Sequence, residues 1–257
     1  MKPRLDPLFS ALLLAACRSP EVANPKPAPA PATAVAPALA PAPAPAADAN
    51  HVDVAKINEP FRHVADVASW VEKFERDHRE ICAQRVAIAN AIGLTPGMRI
   101  ADVGSGTGLF EPLFSTLVGP AGKVFALDIS PEFVAYVRQR ALLESLTNVD
   151  VEQCPDDATG LPPASVDVVF VCDVYHHFEH PEKNLASIRA SLAENGRLVL
   201  VDFDKVEGKS SDFILHHVRA TRQVVMGEVA AAGFTFERDA ALLKENWFAV
   251  FVKSPGR

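Results

Sequence analysis

Nine consecutive residues, CDVYHHFEH from Cys172 to His180, hold three histidines, two carboxylates, a tyrosine and a thiol. Imidazole exchanges protons near neutral pH and also ligates transition metals. His176 and His177 are therefore candidate general bases, and Asp173 is a candidate for orienting one of the rings. His180 opens the next helical stretch and reads as solvated. A metal centre would need a third ligand beside the pair. His216, His217 and Asp204 are available, but the sequence does not place any of them there. Cys82, Cys154 and Cys172 lack the spacing of a zinc site or a disulfide framework, so no metal is expected.

A second constellation is the loop ADVGSGTG, which sets Asp102, Gly104, Gly106 and Gly108 at alternate positions around Ser105. Glycines here let the backbone turn tightly and let a ligand approach the main chain. A nicotinamide loop would need its third glycine at position 109, which is Leu109, and a phosphate-cradling G-K-[ST] is absent. Carboxylates follow at regular intervals: Asp128 in FALDIS, then Asp156 and Asp157 in CPDDATGLP. Each alone could be a helix cap.

The elements that carry these groups follow from periodicity. Short β-branched runs at 99–103, 123–128, 149–153, 166–173 and 196–203 read as strands, and 108–118, 131–145, 181–193 and 212–232 as helices. Such alternation implies a parallel, doubly wound α/β sheet covered on both faces, which binds ligands at the strands' carboxyl ends. FTFERD and WFAVFVK read as a terminal hairpin that adds an antiparallel edge strand. Before the sheet, apolar positions spaced as in helices begin at residue 63 and end near Gly93, so residues 51–95 form a helical lid and 96–257 the α/β domain.

Loop, acidic residues and spacing together resemble class I S-adenosylmethionine-dependent methyltransferases of the ubiquinone-biosynthesis-like branch. The resemblance runs from about 98 to 203 and ends in LAENGRLVLVDF, where Glu194 and Asn195 replace the usual Pro-Gly. It implies a seven-stranded Rossmann-like fold with S-adenosyl-L-methionine as cofactor. It assigns Asp102, Gly104, Ser105, Gly106 and Gly108 to the donor loop, Asp128 and Ile129 to the ribose, Asp157 and Ala158 to the adenine, and Asp173 to the donor's reacting end. Asp156 stands where the family has glycine, so either aspartate is open for adenine.

The resemblance also places the histidines beside the methyl group. An acceptor that must lose a proton needs a base there, so transfer to oxygen of a small molecule is favoured. Tyr175, His217 and Arg219 are candidate acceptor contacts. A different class of function is a catalytically inactive envelope lipoprotein that senses the cofactor or another ligand.

The N-terminus supports an envelope setting. Lys2 and Arg4 precede a short apolar run, and LAAC ending at Cys17 resembles a lipobox, so 1–17 is read as a signal peptide with lipidation at Cys17. The Pro/Ala-rich stretch 18–50 reads as a polyproline tether. These readings place the domain in the cell envelope, on the membrane only through its lipid; were the signal not used, it would stay in the cytoplasm. Residues 51–257 hold 21 Lys/Arg against 29 Asp/Glu, which argues against nucleic acid as a partner. A monomer or homodimer is expected.

Overall fold

The computed structural model describes residues 52–254. The signal peptide, Cys17 and the Pro/Ala tether lie outside the described residues. Strands β1 (Arg99–Val103), β2 (Lys123–Asp128), β3 (Val149–Gln153), β4 (Val166–Cys172), β5 (Leu192–Phe203), β6 (Phe234–Asp239) and β7 (Asn246–Lys253) form one sheet in the order β3-β2-β1-β4-β5-β7-β6. The first five are parallel, and β7 runs antiparallel to both β5 and β6. The antiparallel strand is thus inserted inside the sheet rather than at its edge; β6 takes the edge. The chain enters at β1 and winds outward in both directions, which puts the order reversal between β1 and β4.

Central strands are apolar on both faces because helices cover both. On one side α3 (Glu80–Ile92) and α4 (Glu111–Val118) pack Ile88, Ile92, Phe110 and Phe114 onto Ile100, Phe170 and Val199. On the other, α6 (Pro181–Ser191) and α8 (Arg222–Ala231) bring Leu185, Ile188, Val225 and Val229 to Val169, Val171 and Leu200. Helix α5 (Pro131–Leu143) covers β2 and β3 and starts at Ser130, whose hydroxyl accepts the Phe133 N–H ahead of Pro131.

Three boundaries differ from the sequence reading. A helix α1 (Val54–Arg62), with Pro60 inside it, precedes α2 (Val67–Phe74), ahead of the helical spacing that begins at residue 63. The expected helix over 212–232 is two, α7 (Asp212–His217) and α8, because the chain turns extended at Val218 and recaps at Thr221. Lys205 Nζ takes the Val218 carbonyl at 2.9 Å, which gives that acceptor a partner outside a helix. Strand β5 begins directly after α6, with no intervening turn at Glu194-Asn195. Among the described residues no helix is long and apolar enough to cross a membrane.

Candidate functional site: a donor loop facing three imidazoles

A cavity of about 520 Å³ opens at the carboxyl ends of β1, β2 and β4 under a roof made by α1 and α2. That size is in the range of small-molecule sites, about 300–1,000 Å³. Phe61, Trp70, Phe74 and Phe133 form an aromatic wall with ring centroids 4.8 to 6.4 Å apart.

The glycine loop forms one end. Gly104 has φ +77°, and a Cβ there would stand 2.5 Å from a Val174 methyl, so both backbone and space require glycine. The Gly104 and Ser105 N–H groups donate to the Leu127 carbonyl at 2.8 and 2.9 Å, which pins the loop across the end of β2. Asp128 braces it from the next strand: Oδ2 accepts the Gly106 N–H and Oδ1 the Ser130 N–H, both at 2.8 Å. Burial raises the Asp128 carboxyl to about 6, against the pull of these backbone donors.

Beneath the loop Asp102 and Glu111 lie side by side, each almost fully enclosed. Burial and then the neighbouring Glu111 charge push Asp102 well up; burial takes Glu111 to about 7. Two enclosed carboxyls favour a shared proton.

Of the donor-side candidates, Asp102, Gly104, Gly106, Asp128, Ile129, Ala158 and Asp173 line the cavity, while Ser105 and Gly108 shape the loop behind it. Asp157 turns away to Lys183, 3.2 Å distant, and Asp156 lines the cavity instead, 3.5 Å from Arg62 of α1. Of the two aspartates, Asp156 is the one that lines the cavity. An end ringed with carboxyls and floored by bare backbone suits a cationic sulfonium that also carries a ribose diol and an adenine amine.

The opposite end is built from the tip of β4. Asp173 adopts φ +52°, and a single 3₁₀ turn, Tyr175–His177, follows. Asp173 does not orient an imidazole: its oxygens hold Arg79 at 2.6 Å and Asn246 at 2.5 Å. Burial raises it to about 6, although Arg79 opposes the shift. The orienting carboxylate comes from β5. Asp202 Oδ2 accepts the His176 N–H at 3.0 Å, and Oδ1 stands 2.6 Å from His176 Nδ1. Burial works against an imidazolium at His176, but the Asp202 charge and hydrogen bond outweigh it and hold its pKa above the ordinary value.

His177 is fixed from the roof. Asn58 of α1 spends its amide N–H groups on the His177 carbonyl at 3.0 Å and on Glu179 at 2.9 Å. Its oxygen, 2.7 Å from His177 Nδ1, is then an acceptor, which assigns the ring proton to Nδ1. His217, from the end of α7, closes the group with its ring centroid 5.2 Å from both other rings. Phe213 stacks on it at 4.7 Å. Burial first, then repulsion from neighbouring imidazoles, takes His177 down to about 2 and His217 to about 4, so both stay neutral. The third imidazole that the sequence could not place is therefore present: ring nitrogens of His176, His177 and His217 all lie within 4.8 Å of one another.

Two acceptor-side candidates lie elsewhere. Tyr175 is fully buried and donates its hydroxyl to Glu228 at 2.7 Å; Arg219 forks onto the same carboxylate at 2.7 and 2.8 Å. Both belong to the core behind the cavity. Asn58 and Asp202 had no motif to reveal them, since each meets its histidine across more than twenty positions of chain, 119 for Asn58 and 26 for Asp202.

Known proteins are similar over this part of the chain. A model of a family described as methyltransferase domain matches residues 94–247. The ubiquinone/menaquinone biosynthesis C-methyltransferase UbiE of Ectopseudomonas mendocina is 32% identical over 114 residues, 44% of each chain. That of Pseudomonas savastanoi pv. phaseolicola is 32% identical over 118 residues, 46% of each. The matched stretch thus spans under half the length of these relatives. A solved SAM-dependent methyltransferase from Aquifex aeolicus superposes with a TM-score of 0.65 at 25% identity, over 73% of this chain and 98% of that one. An S-adenosylmethionine-dependent methyltransferase from Mesorhizobium loti shares the fold, with a TM-score of 0.56 at 16% identity over 69% and 99% of the two chains. The chain belongs to the family described as methyltransferase domain.

Proposed function

We propose that this methyltransferase acts on oxygen of a small, largely apolar hydroxylated molecule, and that the imidazole cluster keeps the acceptor as its conjugate base. The supporting observation is the Asp202–His176 pair, 2.6 Å apart at the end of a cavity whose other end carries the donor loop. The cofactor supplies a methyl group already activated on a cationic sulfur. The protein's part is alignment and deprotonation. Gly104, Gly106, Asp102, Asp128, Ile129, Asp156 and Ala158 hold the donor; Phe61, Phe203 and Phe213 flank the acceptor; His176, held by Asp202, takes the proton. Phe61 of α1 and Trp70 and Phe74 of α2 roof the cavity.

Turnover of a phenol panel with methyl-labelled cofactor tests this. A methyl ether as the labelled product supports it; no turnover of any hydroxylated acceptor overturns it. The names of the UbiE relatives favour a second reading, C-methylation of a hydroxylated quinone precursor. The same deprotonation would then send electron density to a ring carbon, and a label on carbon rather than oxygen distinguishes the two. A ligand-sensing module without turnover has no observation in its favour.

The envelope location is part of the same proposal. Labelled-palmitate incorporation that disappears in Cys17→Ser supports it, and label that persists in the variant opposes it.

A further inference from the structure

We propose that His176, His177 and His217 form a binding site for one divalent transition-metal ion of the zinc type, placed at the acceptor end of the cavity. The proposal rests on the reading that this end holds the acceptor.

Donor chemistry comes first. Imidazole nitrogens suit Zn²⁺ and its neighbours, and catalytic zinc sites use three protein ligands with a fourth position open. Three imidazoles from two separate elements, the turn after β4 and the end of α7, meet here with nitrogens within 4.8 Å of one another. Ligands about 2.1 Å from a tetrahedral zinc stand about 3.4 Å apart, so the rings need to close by little more than an ångström.

Tautomers point the same way. His176 Nδ1 is committed to Asp202 and His177 Nδ1 to Asn58, both of them acceptors, which leaves each Nε2 with a free lone pair. Metal-ligating histidines typically show this arrangement, with the remote nitrogen tied to a carboxylate or carbonyl oxygen. Phe61, edge-on to His177 at 5.0 Å, and Phe203, 5.7 Å from His176, supply an apolar surround with Phe213. No other group of His, Cys, Asp and Glu among the described residues has ligand atoms gathered in this way.

With an ion bound, the acceptor hydroxyl would occupy the open position and release its proton to solvent. The oxygen lone pair then forms the new O–CH₃ bond while the methyl–sulfur bond breaks, its electrons staying on sulfur. Charge balances: a cationic donor and a bound oxyanion give a neutral thioether and a neutral ether. In this form the imidazoles ligate instead of taking the proton.

The test uses tag-free full-length chain, stripped with chelator and titrated calorimetrically with Zn²⁺, with Co²⁺ absorption as a second readout. Saturation at one ion per chain and the visible bands of tetrahedral Co²⁺ are expected. His177→Ala and His217→Ala should each weaken Zn²⁺ at least about 100-fold, and Asp202→Asn about 10–100-fold. His216→Ala, outside the cluster and bonded to the Asp212 carbonyl, should leave Zn²⁺ affinity unchanged. S-adenosylhomocysteine affinity in each variant reports folding, and His217→Gln replaces His217→Ala if that protein is not folded. Absence of one-to-one binding, or binding that survives loss of His177 and His217, overturns the proposal. Full turnover in chelator-stripped enzyme together with loss of turnover in His176→Ala also overturns it, while leaving the imidazole as base and the reading of the acceptor end intact.

Discussion

Asp202 takes both the backbone N–H and the ring Nδ1 of His176, at 3.0 and 2.6 Å, so one carboxylate sets the turn and the tautomer together. In Asp202→Asn the charge that favours this ring's orientation is gone, and the amide can present N–H in place of oxygen. With the ring nitrogens exchanged, the nitrogen facing the acceptor would carry the proton. We expect kcat to fall by about 100-fold or more, while S-adenosylhomocysteine affinity, set at the other end of the cavity, stays as in the parent. Steady-state kinetics and calorimetry read the two separately. An unchanged kcat would remove His176 from the proton path.

At the donor end the sharpest steric demand is at Gly104. The Cβ of Gly104→Ala would meet Val174 Cγ2 at 2.5 Å and Cγ1 at 2.7 Å on a backbone with φ +77°. Overpacking and a left-handed alanine together cost about 2–4 kcal/mol. Val174→Ala removes the two closest contacts, leaving its Cβ at 3.1 Å, and does not touch the backbone strain. The double variant should therefore regain part of the lost stability and cofactor affinity, as read by denaturant melts and S-adenosylhomocysteine titration. No recovery would mean that the steric contact is not what excludes alanine.

Tyr175 separates sequence proximity from site membership. It adjoins His176, yet its ring is buried and its hydroxyl serves Glu228, which Arg219 also holds. Burial, with the Glu228 charge, pushes the phenol's pKa upward, so it is no acid for the reaction. Tyr175→Phe should lose about 1–2 kcal/mol of stability with acceptor KM unchanged. A several-fold rise in KM at equal stability would return the hydroxyl to the acceptor pocket.

The strand ends were legible because β1, β2 and β3 alternate with helices in register, and their boundaries coincide with the apolar runs. The glycine loop was legible for the same reason: local chain geometry demands its composition. Asp202, Asn58 and Arg79 were not. Each acts through a side chain that meets its partner only after the sheet closes and α1 folds over it, with sequence separations of 26, 119 and 94. Periodicity speaks for neighbours on one element and is silent on such pairs. The choice between Asp156 and Asp157 stayed open for a smaller reason: one residue of offset in an irregular segment decides which carboxylate faces the cavity.

Glu111 gives the clearest pH signature. Its carboxyl is 1% exposed beside the buried Asp102 carboxyl, and burial raises it from 4.5 to about 7. Between those values the folded state keeps a proton that the unfolded state has released. Stability from this group is therefore full below about pH 4.5 and declines as pH rises through about 7. The full decline amounts to roughly 3 kcal/mol. Glu111→Gln mimics the protonated side chain at every pH and removes the decline. In cofactor-free protein, urea melts at pH 5 and pH 8 should show the variant gaining on the parent at the higher pH by about 1–3 kcal/mol. A variant-minus-parent difference that is the same at both pH values would show that Glu111 ionises normally, and that the proton beneath the loop sits on Asp102.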